Sequence, residues 1–353
     1  MSDDHVLVDA TTKIFADLCD PQTVNAATDN SWRETLWTTL EESGLTLAWV
    51  SDQLGGSGAS LKDGFDILSV SGQFAVPVPL AETMLAGWVL ERAGLKSPAG
   101  PMTVAPVRPR DRILMAADGT LSGRASGVPF ASAVETLVVV ATSGDDLHVA
   151  QVRAADCQVV ASPGMAGDGS DTVMFDGVHP VASGAWSAPS GGLDLALMGA
   201  AVRAVQIGGG MQAILDLATA YSKERVAFEK PIAKFQAVQH NLARLAGETA
   251  AVLAATSSAV DTIASAESSH DAVFLELASA KIRAGEAAGA GPGIAHQTFG
   301  AIGFTAEHIL HRFTQRMWAW RDDFGNESEW ALRLGQRITS AGADELWPLL
   351  ASR

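Results

Sequence analysis

The 353-residue chain contains 47% hydrophobic and 18% charged residues and carries a net charge of −16. This balance excludes wholesale disorder, and the length predicts two or three packed units rather than a single core. The negative charge argues against a partner that is a nucleic acid or an anionic membrane.

The two cysteines, Cys19 and Cys157, lie far apart and lack metal-type spacing, which argues against a disulfide scaffold or a zinc site. The acidic start of the chain leads into no signal-like apolar segment, and no run of about 18 uncharged apolar residues predicts a membrane span. We therefore expect a soluble cytoplasmic protein without a metal.

Residues 1 to about 105 are predicted to be mainly helical, because apolar residues recur there with a spacing near 3.6. Pro21, Gly44 and the glycine cluster at 55–58 separate the segments. The predicted helices are Val6–Leu18, Ser31–Ser43, Ser60–Phe74 and Leu80–Ala93.

From about residue 101 to 185 the pattern changes to short β-branched or alternating runs, which predict strands in a small β-barrel or sandwich. Asp118-Gly119 and Asp176-Gly177 are predicted turns. The predicted strands are Met102–Ala105, Arg112–Met115, Glu135–Ala141, Leu147–Val152 and Thr172–Phe175.

From about Gly192 onward, four or five long helices are predicted to pack as an antiparallel bundle. The run Gly208–Gly210 interrupts the first of them. Such a run allows either the close approach of a ligand or partner backbone, or close packing against another helix.

The segment Arg225–His240 joins two of these helices, with Pro231 as the break between them. A guanidinium followed by aromatic rings and side-chain amides suits an anion that carries a flat heterocycle, such as a dinucleotide. An ordinary helix hairpin with a solvated Arg225 is the alternative.

Two motifs in this half of the chain resemble signatures of the acyl-CoA dehydrogenase flavoprotein family. The first is the run Arg-x-x-Phe-x-x-Pro-Ile-x-x-Phe-Gln-x-x-Gln from Arg225 to Gln239. The second, His296–His308, is similar to the Gln-x-x-Gly-Gly-x-Gly-Phe/Tyr segment of the family. The turns Leu54–Gly58 and Val76–Leu80 extend the resemblance into the amino-terminal third.

The resemblance implies an α+β multidomain fold. Its expected parts are an N-terminal helical domain at 1–104, a small middle β-barrel or sandwich at 105–188, and a C-terminal antiparallel helical bundle at 189–353. It further implies FAD as cofactor, with Arg225 on the flavin pyrophosphate and Phe228, Ile232, Phe235 and Gln236 at the adenine and ribose end. Gln297, Gly300 and Gly303 would approach the same cofactor from the neighbouring subunit, because family members share each flavin across a dimer.

Some family features are missing from the sequence. Ala301 replaces the second glycine of the usual pair, and Ala227 stands where the family often has Thr or Gln. In the middle domain, the segments that meet the flavin ring are not recognisable. The run Gly169–Thr172 lies too late in that domain to replace them.

The implied reaction is α,β-dehydrogenation of an acyl-CoA thioester, in which a carboxylate removes the α-proton. Family members carry this base at one of two places, which align here with Gly199 and Phe324. Asp323, one residue before Phe324, is therefore the candidate base, with Asp322 and Glu327 as weaker candidates. The alternative is that these acidic groups cap the helix predicted from Glu327 to Thr339.

The expected partners are an acyl-CoA substrate, an electron-acceptor flavoprotein, and either a second copy of the chain or a larger homologous subunit. With a larger homologue, this chain would be a non-catalytic or half-site subunit of a heteromeric dehydrogenase. A flavin oxidase of the same fold, acting on a non-thioester carbon acid, is a further alternative. His296, His308 and His311 lack the carboxylate partners that would complete a metal set.

Overall fold

The computed structural model describes residues 6–187, 192–265 and 267–351. Its amino-terminal part is helical, as predicted. The helices are α1 (Val6–Leu18), α2 (Pro21–Ala26), α3 (Ser31–Glu42), α4 (Leu61–Gln73) and α5 (Leu80–Arg92). The Ser60 hydroxyl accepts the Asp63 N–H while Asp63 accepts the Ser60 N–H, so a reciprocal capping box starts α4.

The middle part is one mixed sheet of eight strands. They are β1 (Met102–Ala105), β2 (Arg112–Met115), β3 (Leu121–Val128), β4 (Thr136–Ser143), β5 (Asp146–Arg153), β6 (Gln158–Val160), β7 (Asp171–Val178) and β8 (Ala182–Ala185). The strand order is β6-β7-β3-β2-β4-β5-β8, and β1 pairs with β4 beside β2. The buried side chains of the sheet form one hydrophobic core, which includes Ile113, Leu137 and Val173.

The five predicted strands are confirmed within two or three residues, but the sequence pattern missed β3, β6 and β8. The predicted turn at Asp176-Gly177 is wrong. Gly177 has φ +65° and lies inside β7, where the register with β3 slips between Leu121 and Ser122. The glycine therefore forms a bulge within a strand, which a sequence pattern does not distinguish from a turn.

The carboxy-terminal part is a helical bundle. Its elements are α6 (Leu195–Glu224), β9 (Val226–Ala227), β10 (Lys230–Pro231), α7 (Gln236–Ala264), α8 (His270–Phe299), α9 (Leu310–Asp322), α10 (Glu327–Ala341) and α11 (Ala343–Ala351). The three longest helices, α6, α7 and α8, pack on one another. The strands at the predicted limits of the middle part, β1 and β8, lie close to residues 105 and 188. The division into three domains stays a prediction.

The predicted interruption of the first bundle helix at Gly208–Gly210 is wrong, because α6 runs through all three glycines. A side chain on Gly209 would collide with the carbonyl of Ser69 on α4. The glycines thus permit close helix packing, one of the two roles that the sequence left open. In the described residues, no helix is long and apolar enough to cross a membrane.

Candidate active site

The first motif forms a short hairpin between α6 and α7. Arg225 ends α6, its N–H donates to the Tyr221 carbonyl, and its carbonyl accepts the Ile232 N–H at 2.8 Å. Phe228, at the tip of the hairpin, has φ +52° and is 88% exposed. Arg225 is also exposed, and its guanidinium has no ion-pair partner among the described residues. An unpaired guanidinium beside an exposed ring can receive an anion with an aromatic group.

The second half of this motif starts α7. Phe235 is the residue before the helix, and Gln236 is its first, exposed residue. The ring of Phe235 packs edge-on against Phe228, with centroids 6.1 Å apart, and the Lys230 ammonium lies 4.4 Å from the Phe235 centroid. Ile232 is half-buried below them. The hairpin therefore presents aromatic, cationic and amide groups on one exposed surface.

The second motif lies against the last turns of α6, directly before the first motif. The Tyr221 hydroxyl donates to the Phe299 carbonyl at 3.4 Å, and the two rings are 4.5 Å apart. Gln297 is exposed at the end of α8, and Gly300 follows it with φ +66°. No atom lies within 4 Å of where a Gly300 side chain would begin, so its backbone is open to an approaching group.

Gly303 differs from Gly300. It is buried, and a side chain there would come within 2.8 Å of the Phe299 Cβ. Its missing side chain therefore serves packing within the chain. The groups that could hold one end of an FAD are a guanidinium, two side-chain amides, two aromatic rings and an open glycine backbone. The exposed residues are Arg225, Phe228, Gln236, Gln297 and Gly300, and the half-buried ones are Ile232 and Phe235. Their cofactor role stays a prediction, as does that of Gly303.

The two positions at which the resemblance places a base, Gly199 and Phe324, meet in space. A side chain on Gly199 would lie 2.5 Å from carbon atoms of the Phe324 ring, so this ring covers the glycine. Phe324 has φ +56° and is buried, and the Trp330 indole N–H donates to its carbonyl at 2.9 Å. Neither position offers a carboxylate. Asp323 is the adjacent acidic group.

Asp323 is 6% exposed and is bound to arginines. The Nε of Arg203 donates to its Oδ2 at 3.0 Å, and Arg108 Nη2 lies 3.9 Å from its Oδ1. Arg203 also donates from Nη2 to Glu82 Oε1 at 2.5 Å and from Nη1 to Gln206 Oε1 at 2.7 Å. One buried guanidinium thus joins α5, α6 and the end of α9.

Burial disfavours the charged forms of several groups in this cluster. Burial raises the pKa of Glu82, although Arg203 opposes the shift. Burial also opposes the charge on Arg203, but Glu82 and Asp323 together raise its pKa, so this guanidinium stays charged. Lys281 is fully buried, and its ammonium donates to the carbonyls of Trp320 and Arg321 at the end of α9. Burial lowers the pKa of Lys281 to about 7.

Asp323 lines a cavity of about 210 Å³ between the sheet and the bundle, which we name the Asp323 cavity. Its wall includes Glu82, Arg203, Trp318 and Trp320 from the helices. Gly169 and Ser170 line it from the sheet side. The next residue, Asp171, holds the loop by accepting the N–H groups of Ser132 and Ser162.

A second cavity, of about 250 Å³, lies near Trp186 and Asp194, and we name it the Trp186 cavity. Arg108 lines both cavities. Its guanidinium donates to the Asp322 carbonyl and crosses Gly127, where a side chain would come within 2.6 Å of its Nε. Between the cavities, Phe324, Arg203 and Glu82 leave a void of about 10 Å³.

The two weaker base candidates differ in their surroundings. The Glu327 carboxylate pairs with Arg321, which lowers the pKa of Glu327, whereas Asp322 is exposed. The predicted cap of the last long helix is only partly right. Asn326 supplies the capping oxygen at the start of α10, and Glu329 completes the capping box.

In the part of the chain that the structure describes, no group of His, Cys, Asp and Glu side chains could hold a metal ion.

The sequence reasoning missed Glu82, Arg203, Arg108 and Lys281. A signal was present for two of them. Arg203 is a lone charge in the apolar run of α6, and Glu82 is a lone charge in the run Leu80–Leu90. A charge within a buried helical face requires a partner of opposite charge. The sequence alone could therefore have predicted an ion pair between these two residues. Lys281 and Arg108 lie in mixed sequence and give no such signal.

Comparison with known proteins agrees with the two motifs. Residues 194–321 match the model of the acyl-CoA dehydrogenase C-terminal domain. Two proteins named acyl-CoA dehydrogenase IpdE2 are similar over most of the chain. The one from Mycobacterium tuberculosis is 26% identical over 88% of this chain and 90% of its own length. The one from Mycolicibacterium smegmatis is 28% identical over 90% of this chain and 93% of its own length.

The fold is similar to that of a chain in the crystal structure of the ChsE4-ChsE5 complex from Mycobacterium tuberculosis. The TM-score is 0.84 at 20% identity, covering 96% of this chain and 98% of that chain. The helical first part, the middle sheet, the bundle and the two motifs with their matching relatives lead to one conclusion. The chain is similar to acyl-CoA dehydrogenases over most of its length, and its residues 194–321 match the C-terminal domain of that family.

Proposed function

We propose that this chain carries out the α,β-dehydrogenation of an acyl-CoA thioester with FAD, and that Asp323 accepts the α-proton. The observation that supports Asp323 is its place in the Asp323 cavity, directly before Phe324, whose ring lies on Gly199. The hairpin would hold the cofactor, and the Gln297 segment would approach the cofactor held by the neighbouring subunit. Their exposed guanidinium, amides and open glycine backbone support this assignment.

The reaction breaks two C–H bonds of the acyl group and forms one C=C bond. The α-carbon loses a proton to a carboxylate, and the β-carbon loses a hydride to the cofactor. FAD, when bound, supplies the hydride acceptor. Of the residues of the chain, Arg203 orients the Asp323 carboxylate through its Nε and Nη2, and Asp323 itself is largely buried.

Substitution of the candidate base tests this assignment. Asp323→Asn keeps the shape of the side chain but cannot take up the proton, so we expect flavin content to persist and turnover with acyl-CoA to fall by at least 100-fold, within the usual ~10²–10⁴ range for acid–base catalysis. Asp322→Asn, on the exposed neighbour, is the matched control and should leave turnover unchanged. Unchanged turnover in Asp323→Asn would remove Asp323 from the mechanism.

A second candidate function is a half-site subunit of a heteromeric dehydrogenase. It is favoured by the contact of Phe324 with Gly199, which leaves both family base positions without a carboxylate. The void of about 10 Å³ beside them holds at most one water molecule, so no acyl group fits there without rearrangement. The similarity in fold to a chain of the ChsE4-ChsE5 complex supports the same candidate.

In this second function a larger homologous subunit supplies the base. This chain contributes the Arg225 hairpin and the Gln297 segment to flavin sites that the two subunits share. An electron-acceptor flavoprotein would reoxidise the cofactor in either case. Co-purification separates the two functions. A homo-oligomer with one flavin per chain and turnover of its own supports the first, whereas flavin that appears only with a larger partner chain supports the second.

A further inference from the structure

Two buried carboxylates share the guanidinium of Arg203. Its Nη2 lies 2.5 Å from Glu82 Oε1 and 3.0 Å from Asp323 Oδ2, and its Nε donates to the same Asp323 oxygen. The third nitrogen, Nη1, is bound to Gln206, whose amide in turn donates to Ser71 Oγ at 3.2 Å. All three nitrogens are therefore used, and the guanidinium carries one positive charge against two acidic groups.

The two carboxylates do not have equal support. Asp323 receives two nitrogens of Arg203, and it also lies 3.9 Å from Arg108 and within the field of the buried Lys281. Glu82 receives one nitrogen of Arg203. The charges that act on Glu82 are Arg203, which favours its ionised form, and Asp323, which opposes it. The negative charges of Asp322 and Glu327 favour the protonated form of Lys281.

We propose that Arg203 holds Glu82 and Asp323 as an unequal pair, in which Glu82 is the member that keeps its proton at neutral pH. A buried carboxyl group without a full counter-charge is more stable when neutral, because ionisation in a low-dielectric site is costly. Two carboxylates that share one site separate in their affinity for protons. The upward shift in the pKa of Glu82 by burial agrees with this assignment.

Glu82 is then a positioning residue that acts through Arg203. In its neutral form it accepts a hydrogen bond from the guanidinium without neutralising it, so the positive charge remains available to Asp323. The consequence for catalysis rests on the proposed function, in which Asp323 accepts the α-proton. The protonation of Glu82 does not rest on it and can be measured on a protein that has no turnover.

The sign of the pH dependence follows from linkage. In the unfolded chain Glu82 releases its proton near its ordinary pKa of 4.5, whereas the folded chain retains it to higher pH. Between these two values the folded state binds one more proton than the unfolded state. The stabilisation from this group is complete below the lower value and is lost as the pH rises through the higher one.

The test compares urea unfolding of the full chain and of Glu82→Gln at several pH values between 5 and 7. Gln mimics the neutral carboxyl group and cannot titrate. We expect the unfolding equilibrium constant of the unsubstituted chain to rise about tenfold per pH unit relative to that of Glu82→Gln. Taking the ratio of the two cancels the opposite pH dependence of Lys281. The exposed Glu135→Gln is the control and should keep the slope of the unsubstituted chain.

A second measurement does not depend on whether Glu82→Gln folds. The unsubstituted chain should show the infrared band of a protonated carboxyl group at pH 7, and this band should shift when glutamate, not aspartate, carries carbon-13. A band that shifts with labelled aspartate, the absence of any such band, or equal pH slopes for the chain and Glu82→Gln would each overturn the proposal. Full turnover in Asp323→Asn would refute the base assignment and leave the unequal pair standing.

Discussion

The ring of Phe324 lies on Gly199, so the two positions to which the sequence resemblance assigns a catalytic base touch each other in this chain. The left-handed backbone of Phe324, at φ +56°, and the hydrogen bond from its N–H to the Val107 carbonyl fix the ring there. The aromatic side chain fills space that a glycine leaves, and the adjacent carboxylate, Asp323, is bound by Arg203.

The first prediction concerns this contact. Gly199→Ala places a methyl group 2.5 Å from the Phe324 ring and should destabilise the chain by about 1–3 kcal/mol through overpacking. Gly247→Ala, on an exposed face of α7 with nothing within 4 Å, should instead stabilise it by roughly 0.5–1 kcal/mol. Urea unfolding of both variants checks the pair. Equal effects would mean that the Phe324 ring does not lie on Gly199.

The second prediction concerns the exposed guanidinium of Arg225. A charge-assisted hydrogen bond contributes roughly 1.5–3 kcal/mol, so Arg225→Gln should weaken FAD binding about 10- to 100-fold without loss of fold. Lys223→Gln, two residues earlier and also exposed, is the control. Flavin absorbance per chain after gel filtration measures the effect. Unchanged flavin retention in Arg225→Gln would contradict the assignment of this motif to the cofactor.

The third prediction concerns Arg203. Arg203→Met leaves Glu82 and Asp323 buried without their shared cation, and breaking such a buried pair costs about 3–5 kcal/mol. Arg153→Met removes an exposed arginine from its pair with Asp156 and should cost at most about 1 kcal/mol. Chemical denaturation at pH 7 distinguishes them. Similar losses for both variants would show that the buried cluster contributes no more than a surface ion pair.

The fourth prediction follows from the depressed pKa of Lys281, about 7 in the folded chain against 10.5 as its ordinary value. Between these values the unfolded state binds more protons, so the contribution of Lys281 to stability should rise with pH from about 7 toward 10, by at most ~1.4 kcal/mol per pH unit. The difference in unfolding free energy between the unsubstituted chain and Lys281→Met, which cancels the opposite pH dependence of Glu82, measures this rise. A difference that stays constant from pH 7 to 9 would contradict a buried, readily deprotonated Lys281.

Much of the fold could be predicted from the sequence because its helices are long and strongly periodic. The ends of α1, α4 and α5 were predicted within one residue. The strand β3 was missed because its residues, Leu-Ser-Gly-Arg-Ala-Ser-Gly-Val, carry small and polar side chains where alternation would identify a strand. Only its buried positions Leu121, Ala125 and Val128 face the core.

The site was predictable where it depends on local sequence and not where it depends on distant contacts. Arg225, Phe235 and Gln236 form one hairpin whose spacing is visible in the sequence. The partner of Asp323 lies 120 residues earlier on another helix, and Glu82 lies 121 residues before that. No periodicity links these three positions, although the isolated charges of Arg203 and Glu82 within apolar helices indicate that each requires a buried partner.

Anaerobic addition of a panel of acyl-CoA thioesters to the flavin-loaded protein tests the central claim most directly. The chain is prepared alone or with its partner subunit, and the visible spectrum is followed. We predict that at least one thioester bleaches the oxidised flavin band and that the product is the α,β-unsaturated thioester. Bleaching by a carbon acid without CoA, followed by rapid reoxidation in oxygen while every thioester leaves the band unchanged, would contradict the claim and favour a flavin oxidase of this fold.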